Sequence, residues 1–144
     1  MKGILLIIVG VIIVVLFGGI FLLRSNDSKE PSTSQKSTSS EISPNYLKYS
    51  EENLAKANER GRTILYFWAF WCPTCKALDA ELRSRGNELP SDVTILQVNY
   101  DTERELKQKY EIVIQHTLVQ IDQDGNEVAK WIGGGIETIK QQVK

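Results

Sequence analysis

Residues Phe67–Lys76 read FWAFWCPTCK, and this stretch decides how the chain folds. It holds both cysteines of the protein, Cys72 and Cys75. A nearly continuous apolar run precedes the cysteines, which is typical of a buried strand, and a helical pattern of apolar residues follows them. Two thiols at this spacing form either half of a metal site or a reversible dithiol/disulfide pair. The strand-then-helix context favours the second interpretation.

The position of Pro73 predicts how the two sulfurs differ. If Pro73 is the first helical residue, Cys72 is the N-cap, and its sulfur faces the free N–H groups of the first turn, including that of Cys75. These donors and the helix dipole favour the thiolate, which makes Cys72 a nucleophile near neutral pH. Cys75 is then placed to resolve a mixed disulfide. Thr74 is either a further hydroxyl donor to the thiolate or simply a tolerated helical residue.

Periodicity and turn signals predict one α/β domain over residues 45–144, with a mixed central sheet covered by helices on both faces. The predicted order is helix, strand, helix, strand, helix, strand, strand, helix, at residues 50–60, 63–69, 73–84, 93–98, 102–110, 117–121, 127–132 and 137–143.

The cysteine stretch resembles the active-site signature of the thioredoxin family, F-W-A-x-W-C-x-x-C-K. The similarity extends over residues 46–144, with Gly133 where the family has a glycine near the active-site rim. The resemblance implies a thioredoxin-like fold and exchange of disulfides with proteins. We expect the family's first edge strand to be missing, because the chain before Ser50 is short and polar. The further segments that carry the resemblance are Val98–Asp101, Tyr110–Ile112, Thr117–Val119 and Asp124–Val128.

Three positions depart from the family pattern. Tyr66 stands where the family has a buried acid, and Gln97 stands where it has a lysine. His116 occupies the place of a cis-proline that precedes Thr117. A cis bond before a residue other than proline costs about 2.5–4 kcal/mol, so we expect a trans peptide and a reshaped substrate-binding loop.

His116 is the only histidine of the chain, and the sequence leaves three roles open for it. It is an exposed polar residue of a loop, or it lies near Cys72 and handles protons. In the third role it joins Cys72 and Cys75 as a metal ligand, although three ligands are one fewer than a closed zinc site needs. We prefer the second role and predict no cofactor and no metal site. A non-catalytic or copper- or zinc-carrying module is the alternative function.

The residues before the domain predict a membrane anchor and a linker. Gly3–Leu23 contain no charged side chain, and a helix of about 20 such residues spans the roughly 30 Å core of a bilayer. The apolar run exceeds the roughly 7–15 residues of a cleaved signal peptide and lacks its cleavage pattern, so residues 1–23 are interpreted as an uncleaved transmembrane helix. Residues 24–44 are Ser-rich and are predicted to form a flexible linker. The short N-terminal flank favours a cytoplasmic N-terminus and an extracytoplasmic domain.

Together these features predict a single-pass protein of the cell membrane that acts as a thiol–disulfide oxidoreductase on extracytoplasmic proteins and depends on an unidentified redox partner. The net charge of −1 and the lack of a basic patch argue against a nucleic-acid partner. The predicted catalytic residues are Cys72, Cys75 and His116, with Trp71, Pro73, Thr74 and Thr117 around them.

Overall fold

The computed structural model describes residues 44–144. In this range the chain forms five strands, four α-helices and one 3-10 turn. Their bounds are β1 (Tyr46–Lys48), α1 (Glu51–Arg60), β2 (Arg62–Trp68), α2 (Pro73–Arg85), the 3-10 turn (Gly86–Glu88), β3 (Val93–Asn99), α3 (Arg104–Lys109), β4 (Thr117–Ile121), β5 (Glu127–Ile132) and α4 (Ile136–Gln142).

The strands form one sheet in the order β1-β3-β2-β4-β5. β1 and β2 both run parallel to β3, whereas β4 is antiparallel to β2 and β5 is antiparallel to β4. Ile64 in the central strand β2 lies opposite Ile95 on one side and Gln120 on the other. The predicted mixed sheet is therefore confirmed, with the strand that leads to the cysteines at its centre.

The prediction that the first edge strand is missing is wrong. Tyr46 and Leu47 pair with Ile95 and Leu96 of β3, and both side chains are buried. Because successive side chains of a strand point to opposite faces, these two residues contribute to the two different core clusters. Two apolar residues beside an available strand edge are enough to form β1, and the polar composition around them masked this signal.

The core lies in two layers, one on each face of the sheet. Tyr66 of β2 packs in the layer under α2 and α4, with Leu78 and Ile139. Phe67, the next residue, packs on the opposite face, in the layer that includes Ala57 of α1. This alternation confirms the predicted helices on both faces of the sheet.

Local signals set the ends of the first helix. The hydroxyl of Ser50 accepts a hydrogen bond from the N–H of Asn53 at 3.1 Å, as expected of an N-cap. Gly61 ends the helix with φ of 149°, and a Cβ there would lie 2.8 Å from the carbonyl oxygen of Asp92. Only glycine fits this turn without strain, so the chain can pass directly from α1 into β2.

The predicted anchor over residues 1–23 and nearly all of the predicted linker, residues 24–43, lie outside the described residues. Within residues 44–144, no helix has the length and apolar character needed to cross a membrane.

A polar cluster ties the cysteine-bearing helix to the edge of the sheet. Asp79 of α2 accepts hydrogen bonds from the Tyr46 hydroxyl at 2.8 Å and from Nε2 of Gln97 at 3.0 Å. Arg83 pairs with the other carboxylate oxygen at 2.7 Å. Burial, and the carboxylate beside it, raise the pKa of Tyr46, so the hydroxyl stays a neutral donor. Asp79 therefore joins α2, β1 and β3.

We expect Asp79→Ala to lower the free energy of unfolding by about 2 kcal/mol, because the buried Tyr46 hydroxyl and the Gln97 amide lose their shared acceptor. Urea unfolding followed by tryptophan fluorescence measures the change. Glu52→Ala is the control, since that carboxylate makes an exposed pair with Lys56 on α1 and should leave the unfolding midpoint nearly unchanged. Equal effects of the two substitutions would show that the cluster does not stabilise the fold.

Candidate active site

The two cysteines form a disulfide bond at the start of α2. Cys72 is the N-cap, Pro73 is the first helical residue, and the Cys75 N–H donates to the Cys72 sulfur at 3.1 Å. The predicted helix start and cap are therefore confirmed. Both cysteines are buried. α2 continues for 13 residues, so the Cys72 sulfur faces the positive end of a full-length helix dipole.

Two of the residues predicted to surround the cysteines lie next to the disulfide. The Thr74 hydroxyl lies 3.3 Å from the Cys72 sulfur, so the hydroxyl contact considered from the sequence is present in the disulfide form. The half-exposed indole of Trp71 donates to the carboxylate of Asp101 at 3.1 Å and meets the ring of Tyr100 edge-on. Asp101 thus fixes the aromatic rim next to Cys72.

His116 is buried beside the sulfurs, so the exposed-loop interpretation is excluded. One ring nitrogen of His116 and the two cysteine sulfurs all lie within 4.8 Å of one another. The backbone N–H of His116 donates to the Phe67 carbonyl, and its own carbonyl accepts from the Gly133 N–H, each at 2.8 Å. These bonds attach the residue to the end of β2 and to the loop after β5.

The backbone at His116 is trans, as expected, since residues 44–144 contain no cis peptide bond. It adopts φ of 58°, in the left-handed region. Histidine and asparagine enter this region more readily than most residues. The turn into β4 is therefore made by a local backbone conformation rather than by a proline.

The imidazole of His116 has a defined hydrogen-bond partner. Its Nε2 lies 3.2 Å from the Gly134 carbonyl oxygen. Because a carbonyl can only accept, Nε2 carries the proton in this bond, and the lone pair of a neutral ring lies on Nδ1. Burial lowers the pKa of His116, an effect that the bond to Gly134 partly opposes. The ring of Tyr66 packs against the imidazole at 5.6 Å between centroids.

The other two departures from the family pattern do not replace the missing charges. The Tyr66 hydroxyl donates to the Cys75 carbonyl at 3.1 Å, and burial raises the pKa of Tyr66, so it acts as a neutral donor. Gln97 is part of the Asp79 cluster. Of these three positions, only His116 brings an imidazole to the sulfurs.

The glycine run before α4 lies close to the site, as the sequence predicts. Gly133 and Gly134 have φ of 77° and 92°, and a Cβ on Gly134 would overlap the side chain of Thr138. Glycine is thus required for the turn that presents the Gly134 carbonyl to His116. Sequence reasoning missed this carbonyl, as well as Asp101 and the Tyr66 hydroxyl. Asp101 could have been found, because it follows β3, which ends at the same edge of the sheet as β2.

An apolar groove lies beside the His116 loop. Val113, Ile114 and Ile132 line it with exposed side chains, and its volume is about 480 Å³. Thr117, which the sequence predicts to lie around the cysteines, also lines this groove. The Thr117 hydroxyl donates to the Ile114 carbonyl at 2.7 Å. Thr117 therefore shapes the groove through the backbone that leads to His116.

A cystine at the N-cap of a helix, next to an aromatic rim, has the arrangement of a thiol–disulfide oxidoreductase site. The thioredoxin family model matches residues 45–144. The chain therefore belongs to the thioredoxin family, and it is a thioredoxin-like disulfide oxidoreductase with Cys72 and Cys75 as its cysteine pair.

Individual relatives agree with this assignment. A thioredoxin of Chlamydia trachomatis is 36% identical over 84 residues, which cover 58% of this chain and 80% of the relative. The crystal structure of Trxlp from Edwardsiella tarda superposes with a TM-score of 0.55 at 26% identity, covering 67% of this chain and 95% of that one. Fasciola hepatica thioredoxin gives a TM-score of 0.52 at 27% identity, covering 62% and 85%.

Proposed function

We propose that this protein is a membrane-tethered oxidoreductase that exchanges disulfides with extracytoplasmic proteins. The observation that supports it most strongly is the bond from the Cys75 N–H to the Cys72 sulfur at the start of α2. After reduction, the same donor and the helix dipole stabilise a thiolate on Cys72. A thiolate, and not a thiol, is the species that attacks disulfides.

The reaction cycle has two exchanges. The Cys72 thiolate attacks a substrate disulfide, one S–S bond breaks as the mixed disulfide forms, and the departing substrate sulfur takes up a proton. Cys75 then loses its proton and attacks the Cys72 sulfur, which releases the second substrate sulfur and restores the disulfide seen here. Two electrons pass from the pair to the substrate, and a redox partner resupplies them. The reverse sequence oxidises a substrate dithiol.

His116 serves this cycle as the proton-handling residue. One nitrogen of its imidazole and both cysteine sulfurs lie within 4.8 Å of one another. Because Nε2–H is bonded to the Gly134 carbonyl, the lone pair on Nδ1 is left to accept a proton. An imidazolium beside a sulfur anion stabilises that anion by charge attraction. In this proposal His116 takes over the role of the family's buried acid and lysine, whose positions are occupied here by Tyr66 and Gln97.

Protein substrates bind at the apolar groove in this proposal. Val113 and Ile132 are among the most exposed large apolar side chains of the described residues, and they lie on the same groove as Thr117. Exposed apolar surface of this kind marks sites of protein interaction. The net charge of −1 gives no electrostatic reason for a nucleic-acid partner.

The tether is proposed from the uncharged segment Gly3–Leu23 and the polar residues 24–44 that follow it. A segment of this length and composition suits a transmembrane helix. In this proposal the domain lies outside the cytoplasm, where disulfides form and persist. The proposed location is the cell membrane, with the domain on its outer side.

We expect the chain to accelerate the reduction of insulin by dithiothreitol, measured as turbidity in the presence of a chelator. Cys72→Ser should return the rate to that of dithiothreitol alone, because the attacking sulfur is lost. Cys75→Ser should accumulate a mixed disulfide with insulin on non-reducing gels. Ala80→Ser, an exposed change on the same helix, is the control. Full activity of Cys72→Ser would refute the cycle.

For His116, we expect the pH midpoint of Cys72 alkylation by iodoacetamide to shift to higher pH in His116→Asn. The imidazolium that stabilises the thiolate is then missing, while asparagine tolerates the left-handed backbone. Glu111→Asn introduces asparagine at the other non-glycine residue with positive φ within residues 44–144 and should leave the midpoint unchanged. Identical midpoints in the wild type and His116→Asn would exclude the coupling.

For the tether, we expect the full chain in bacterial cells to remain in the membrane fraction after an alkaline wash. Ile12→Lys with Val14→Lys should release it, since each charge at a helix centre costs about 2.5–3.5 kcal/mol. Ser34→Lys in the linker is the control.

A membrane-impermeant thiol reagent should label the reduced cysteines in intact cells. Labelling only after lysis would contradict the proposed orientation.

A further inference from the structure

Three buried side chains with metal-ligating atoms meet at the start of α2. The sulfurs of Cys72 and Cys75 and one ring nitrogen of His116 all lie within 4.8 Å of one another. Zinc binds thiolate sulfur at about 2.3 Å and imidazole nitrogen at about 2.0–2.1 Å, so its ligand atoms lie roughly 3.5–4 Å apart. Once the disulfide is reduced, the sulfurs are free to separate to this spacing. The required movements are small and involve side chains.

The surroundings of His116 fit a metal ligand. Zinc-binding histidines almost always donate their second ring N–H to a carbonyl or carboxylate, which fixes the ring orientation. Here Nε2 has that bond to the Gly134 carbonyl at 3.2 Å. The backbone of His116 is also fixed on both sides, by Phe67 and Gly133. The imidazole is therefore oriented before any ion arrives.

The donor set defines the kind of site. Two thiolates and one imidazole suit a thiophilic ion with tetrahedral preference, and a zinc site with three protein ligands keeps its fourth position for water or an external ligand. Within residues 44–144, no further cysteine, histidine or carboxylate joins these three residues as a fourth ligand. A groove of about 240 Å³ reaches His116, and Thr74 and Gly134 are among its other lining residues.

We propose that the reduced protein binds one Zn²⁺ through Cys72, Cys75 and His116, with an open fourth position. Only the dithiol form binds, because the disulfide offers no thiolate. When a partner disulfide oxidises the site, the two cysteine thiolates join and pass two electrons to the partner. The partner's S–S bond breaks, its sulfurs take up two protons from solvent to become thiols, and Zn²⁺ leaves. Zinc thus competes directly with disulfide exchange. This inference rests on the proposed function in requiring a pair that cycles between dithiol and disulfide.

The linkage has a measurable consequence for the redox equilibrium. Zinc stabilises only the reduced form. Above its dissociation constant, each tenfold increase in free zinc therefore raises the reduction potential of the pair by about 30 mV. The disulfide form becomes a stronger oxidant as zinc rises. This shift is read from an equilibrium titration and does not depend on turnover of any substrate.

The test titrates Zn²⁺ into the full chain in detergent, after reduction and anaerobic removal of the reductant, in competition with a chromophoric chelator. We expect one zinc per chain and its release on oxidation. His116→Asn should weaken binding at least tenfold through loss of one of three ligands, and Cys72→Ser should weaken it more. Glu111→Asn should bind like the wild type.

Three results would overturn the proposal. These are equal affinity of the wild type and His116→Asn, one zinc per two chains, or a reduction potential that zinc does not shift. Failure of the insulin assay in the presence of chelator, with zinc binding as expected, would refute the exchange function and leave the metal site intact. The two proposals therefore fail separately.

Discussion

The bond between the Cys75 N–H and the Cys72 sulfur is the interaction on which the chemistry of this protein depends. It exists only because α2 begins at Pro73, so that the first turn has N–H groups without helical partners. The place of α2 is in turn fixed by the end of β2, the central strand of the sheet. The sheet thus serves to hold one helix end, and with it one sulfur, in a fixed position.

The second constraint is the backbone around His116. A left-handed residue at this point brings an imidazole next to the disulfide, and a glycine turn after β5 supplies the carbonyl that orients its ring. The same arrangement suits the two proposed chemistries, since an imidazole nitrogen near two sulfurs can accept a proton or bind a metal ion. Both proposed roles need the reduced sulfurs, so the concentration of free zinc decides between them. Proton handling and metal binding are therefore alternatives at one site.

Most of the fold could be predicted because its signals are local. The apolar run in β2, the proline after Cys72 and the turn between β4 and β5 each fix an element without knowledge of the rest. β1 was missed because three residues carry no periodicity, and its strand exists only through pairing with β3. The same limit applies to the site. Cys72, Cys75 and Thr74 follow from spacing, whereas the Gly134 carbonyl and Asp101 reach the site only through tertiary structure.

The short strand β1 also has a mechanical consequence. It is the first element of the described residues, so a force applied to the chain at Pro44 or Asn45 would enter the fold at Tyr46. The backbone of β1 is held by β3. The Tyr46 hydroxyl is bonded to Asp79 on α2, the helix that Cys72 caps. A pulling force would be shared between the sheet and the reactive helix before it could peel the strand away. β1 thus couples a force on the N-terminal end of the described residues to the position of α2.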